Sequence, residues 1–183
     1  MFITNQEIQN FVYSRIGMAL VSAQKVEFIT SKLIDVLAFY KINVYGITTQ
    51  DFLDETEKSK RKRRKMLGDI FKLLKLNPEY FPEDKLNLYL KKRNTLVHEL
   101  YTEYLSGFSE AEIKDIIDFC NEFGKMSNDL ESFFKGCVYF CALRHVKDKD
   151  DPEFAEFRKW DDHFVHFIKS AIVKNLKNTG KEK

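Results

Sequence analysis

Residues 91–101 read KKRNTLVHELY, and the fold follows from how this stretch is taken. Leu86, Leu90, Leu96 and Leu100 recur at helical steps with no Gly or Pro between them, which predicts a helix. On a regular α-helix residues four apart share a face, so Asn94 stacks beneath His98 and Arg93 beneath Val97. Arg93 and Asn94 are neighbours around the axis, close enough for a guanidinium to swing to the side of the ring. The stretch thus sets a cation, an amide and a titratable ring on an otherwise apolar helix.

Composition points the same way. Seventeen Phe and eight Tyr supply bulky core material, while seven Gly and three Pro leave few sites for tight turns. That balance argues for long helices and against many short strands. With 183 residues the chain is expected to be one all-α domain, 1–183, an up-and-down bundle of about five helices with residues 147–183 as a C-terminal helical extension. Net charge is +2, but its distribution is lopsided. Between Lys58 and His98 thirteen Lys or Arg face four Asp or Glu, a local +9 that leaves −7 for the rest. A one-sided basic surface attracts phosphate polyanions. Cys120, Cys137 and Cys141 form no even set and no CxxC pair, which suits a reducing setting. The N-terminus has no basic leader, and its longest apolar run, Ile16–Val21, is far below the ~18 residues of a membrane span. A cytoplasmic protein with no membrane partner is expected.

Read in order, Thr4 or Asn5 caps a first helix that runs to about Phe39, and Asn43–Gly46 breaks it. Thr48 or Thr49 caps a second helical region, which passes through KSKRKRRK (58–65) to Leu76. Pro82 suits the start of a third helix, carrying KKRNTLVHELY and fading near Gly107. Ser109–Glu112, SEAE, is a capping box opening a fourth helix to about His145, with Gly124 or Gly136 as possible kink sites. Asp151-Pro152 caps a fifth, from Glu153 to about Leu176.

The cluster on the third helix has a definite chemistry. A histidine with a pKa near 6.5 gives or takes a proton at cellular pH. An arginine holds a phosphate and stabilises charge building on it. Together they suffice for a ribose hydroxyl to attack its own phosphodiester without a metal or other cofactor. The alternative is a structural polar knot, with Arg93 paired to Glu27 or Glu99 and His98 a satisfied core histidine.

The arrangement resembles the HEPN superfamily, whose signature is Arg, four to six residues, then His, commonly with a polar residue after the Arg. Here those positions are Arg93, Asn94 and His98. KMLGDIFKLL (65–74) and LVSAQKVEFITSKLI (20–34) also look like early helices of bacterial members. The likeness covers roughly residues 16–104; residues 147–183 match no known pattern. It implies a homodimeric, metal-independent endoribonuclease of a toxin–antitoxin, abortive-infection or other anti-phage system. Two motifs would then face each other across one RNA-binding cleft, with a protein or nucleotidyltransferase antitoxin as a candidate partner. Other members bind RNA, nucleotides or a partner without cutting. The implied roles are general acid or base for His98, phosphate stabilisation for Arg93 and orientation for Asn94.

The spacing alone is permissive: seven Arg and four His give roughly half a match by chance. A second match, Arg158 to His163, lacks the polar residue after Arg and carries Asp161 and Asp162, which repel phosphate. Lys91 and Lys92 adjoin the motif and are candidate RNA contacts, as are Arg61, Arg63 and Arg64 in the basic run. That run also reads as a solvated, self-repelling segment, or in a eukaryote as an import signal. Tyr101 either stacks on a base or closes a dimer seam. Cys137, Cys141 and His145, four apart on one helical face, suggest zinc together with His163 or His166; small cysteines among Phe133, Phe134 and Phe140 read as core, and no metal site is assigned.

Overall fold

The computed structural model describes residues 5–40, 83–106, 109–143 and 152–165. Among these residues the chain is all-α, with helices α1 (Asn5–Tyr40), α2 (Glu83–Asn94), α3 (Leu100–Tyr104), α4 (Glu110–Leu143) and α5 (Pro152–Arg158). A π-helical turn, Thr95–Glu99, joins α2 to α3 without a break. No helix among the described residues is long and apolar enough to cross a membrane. The second helical region expected at 48–76 and the basic run with Arg61, Arg63 and Arg64 lie outside the described residues.

The first helix ends one residue from where its pattern stops. The capping box is formed from both sides: the Ser109 amide donates to Glu112 Oε2 at 2.7 Å, and the Glu112 amide to Ser109 Oγ at 3.3 Å. Two of the orphan amides of α4 are thereby satisfied. From there α4 runs as one helix through Gly124 and Gly136. The fifth helix departs from expectation. It stops at Arg158, turns through residues 159–160 and is helical again over 161–165. Trp160 and His163 each bond the carbonyl three residues back, at 2.9 and 3.1 Å. This tighter winding accompanies the burial of the indole of Trp160, tilted at 57° against Phe157 with centroids 5.8 Å apart.

The described residues group into two compact units, and the two long helices run through both. One unit holds residues 1–26 and 84–129. Its core takes Val12, Ala19, Ala23 and Val26 from α1, Leu86, Tyr89 and Leu96 from the segment after residue 83, and Ile116, Phe119 and Phe123 from α4. The rings of Tyr89 and Phe123 stack at 5.2 Å. The other unit holds residues 27–83 and 130–183, and its described residues bring several aromatic rings together. Phe154 and Phe164 each approach Tyr139 at 5.4 Å, and Lys32 reaches Glu156 at 2.9 Å while lying over the Phe157 ring.

Candidate functional site

A slip in hydrophobic register creates the local shape of the site. Tyr89 and Leu96 are buried seven residues apart, about two helical turns. The next position in step is Glu103, but the aromatic residue arrives one later, at Tyr104. On an unbroken α-helix Tyr104 would stand about 80° away from Leu96. Over Thr95–Glu99 each hydrogen-bonded turn closes on the fifth residue rather than the fourth, which takes up the extra residue. Tyr104 is thereby returned to the α4 side, its ring 5.2 Å from that of Phe119. Thr95 Oγ1 donates to Glu99 Oε2 at 3.1 Å across the wide turn.

The motif residues sit at and beside the widened turn. Arg93 is the residue before Asn94, which caps the π turn, and His98 is its fourth residue. On an α-helix Arg93 and His98 would point roughly 140° apart. The turn alters the winding between Arg93 and the residues beyond it, and Glu99 at its end departs from helical torsions, at φ −118° and ψ −5°. The amide oxygen of Asn94 accepts from Arg93 Nη1 at 3.5 Å, the outer limit of a hydrogen bond, rather than from the imidazole. His98 is exposed, which removes the core-histidine reading. Among the described residues nothing hydrogen-bonds its ring.

The two neighbouring lysines have separate situations. Lys91 is exposed. Lys92 is turned to α4, where its Nζ meets Glu122 Oε2 at 2.8 Å and lies 5.3 Å from the Phe119 centroid. Tyr101 is 70% exposed, with Val97 and Leu88 nearly half exposed along the same segment. The helix thus offers solvent an aromatic ring, a lysine, an amide and an imidazole together.

The other candidates are differently placed. His163 is half-buried, its Nδ1 2.9 Å from Ser132 Oγ. The side chains of Cys137 and Cys141 are wholly buried. Their mutual hydrogen bond and their burial hold the Cys137 thiol well above its ordinary pKa. Among the described residues no group of three or more His, Cys, Asp or Glu is arranged to hold a metal ion. Sequence reasoning missed the wide turn and the role of Glu122; the late arrival of Tyr104 after Leu96 was the available signal for the first.

No family model matches the chain, and no curated protein or solved structure matches it either.

Proposed function

We propose that the chain is a HEPN-like, metal-independent endoribonuclease of a toxin or anti-phage defence system, acting as a homodimeric helical bundle in the cytoplasm. The observation that carries this reading is the exposed His98, set in a π turn that follows directly on Arg93 and Asn94. Such turns occur disproportionately at functional sites. Arg93 would hold the scissile phosphate and offset the charge that builds on it. His98 would take the proton from the ribose 2′-hydroxyl, or supply one to the departing 5′-oxygen. The O2′–P bond forms as the P–O5′ bond breaks, leaving a 2′,3′-cyclic phosphate and a 5′-hydroxyl, with no water consumed. Lys91 and Tyr101 would contact backbone and base from the exposed side of the same helix.

The second reading is a non-catalytic module that binds RNA or a protein partner. It is favoured by one observation: the amide of Asn94 is turned to Arg93, so it does not orient the ring of His98. A catalytic histidine is ordinarily held in one tautomer by a second group. The deciding experiment compares wild type with His98→Ala on total cellular RNA in EDTA, with sequencing of the new ends. Discrete cuts lost in the variant support the nuclease. RNA bound equally by both, with no cuts from either, supports the binding module.

A further inference from the structure

Helix α4 opens with more apolar surface than the fold covers. In SEAEIKDIIDFC (109–120) Ile113, Ile116, Ile117 and Cys120 recur at helical steps. Ile116 and Cys120 are buried, whereas Ile113 and Ile117 stay half-buried at the edge of the stripe. Half-buried Ile8, from the start of α1, joins them in an open groove of about 340 Å³. The other lining residues are Glu110, Lys114 and Asp118, all exposed and each one turn of α4 from the next. Among the described residues the side chains of these three form no ion pair or hydrogen bond, with one another or elsewhere. Of the other acids here, Glu112 is committed to the Ser109 cap, and Asp115 does not line the groove. An apolar floor is thus bordered by a row of negative, positive and negative charge.

We infer that this groove takes an amphipathic helix of a protein partner, laid along α4. Its bulky apolar residues would sit on the three isoleucines. A basic–acidic–basic triplet, at four-residue steps, would lie against Glu110, Lys114 and Asp118. The chemistry narrows the occupant. A rim of two acids and one lysine repels RNA phosphate and anionic lipid. A small molecule would keep one side in water here, whereas such ligands are ordinarily enclosed over most of their surface. A second copy of the chain presents the same three charges, so in either direction it sets acid against acid and lysine against lysine. A helix with the complementary triplet avoids both repulsions, and apolar anchors one turn apart are how helices are read by grooves. The triplet is the same in both directions, so the charges set the register of the contact and leave its polarity open. From Glu110 to Asp118 the contact is about 12 Å long at 1.5 Å per residue, suited to a weak, exchangeable complex. Such docking stands whether or not the cluster on the π turn cuts RNA.

The test uses the full chain and two fluorescein-labelled helical peptides with the same leucine anchors, one carrying Lys–Glu–Lys at four-residue steps and the other Glu–Lys–Glu. Anisotropy should show saturable micromolar binding of the first and about tenfold weaker binding of the second. The triple variant Glu110→Lys, Lys114→Glu, Asp118→Lys changes exposed residues alone and should reverse that preference. Ile117→Asn should weaken the matched peptide about tenfold with helical content unchanged by circular dichroism. Replacing the peptide's leucines by asparagine should give the same loss without touching the fold. No binding of the matched peptide overturns the proposal, as does equal binding of both peptides or a preference that survives the triple variant. Displacement of the peptide by RNA would give the groove to nucleic acid instead, and self-association abolished by Ile117→Asn would give it to a second copy.

Discussion

Lys92 Nζ lies 2.8 Å from Glu122 Oε2 and over the face of the Phe119 ring, so this cation is committed to holding the motif helix against α4. Lys91, one residue earlier, is exposed. Two adjacent lysines therefore carry separable effects. Lys92→Ala is expected to cost about 1–2 kcal/mol of stability, from lost stem packing, the cation–π contact and a salt bridge weakened by the exposure of Glu122. Lys91→Ala should leave stability within about 0.5 kcal/mol and lower the salt dependence of RNA binding by about one ion. Urea denaturation and binding titrations at several salt concentrations measure both. A reversal of the two phenotypes would refute the assignment.

For the nuclease reading, His98→Ala is expected to reduce cleavage by about 10²- to 10⁴-fold. The side chain is exposed, so the melting temperature should hardly move. Arg93→Ala should cut activity comparably. An unchanged rate in either well-folded variant would remove the cluster from catalysis.

His163 supplies the matched control, since it lies five residues after an arginine and is half-buried against Ser132 at 2.9 Å. His163→Ala should destabilise by about 1 kcal/mol through the lost hydrogen bond, and cleavage should persist. Loss of cleavage with retained stability would move the site to this second match.

Burial pushes the Cys120 thiol up to about 11, with the nearby charge of Arg15 partly offsetting the effect. The folded state thus favours the neutral thiol. Its contribution to stability is present below the unfolded thiol's pKa, near 9, and is lost as pH rises towards 11. Denaturation midpoints should fall over that window, and fall less steeply in Cys120→Ala. Parallel curves for the two proteins would contradict this. At pH 8 the thiol should also alkylate slowly, being almost wholly protonated.

The start of α1, its end near residue 40 and the opening of α4 were legible because each is announced locally: a cap, a broken period, a serine answered by a glutamate three residues on. The π turn was legible only indirectly, in the late arrival of Tyr104 after Leu96, because nothing within Thr95–Glu99 itself announces it. Beyond it the ring of Tyr104 lies 5.2 Å from that of Phe119 on α4. The same limit applies to the site. Arg93 and His98 can be picked out by residue type, whereas how they stand around the helix depends on the winding between them. The commitment of Lys92 to Glu122, thirty residues away, depends on tertiary packing that no local pattern encodes.

The wide turn also gives the motif helix a reserve of length. A strictly α-helical segment that loses one residue rotates everything beyond the loss by about 100°. Losing a residue inside 95–99 instead lets the winding relax to the ordinary pitch, and Leu96 and Tyr104 can keep their common face. Loss of one residue within 95–99 is therefore the length change this helix is built to tolerate.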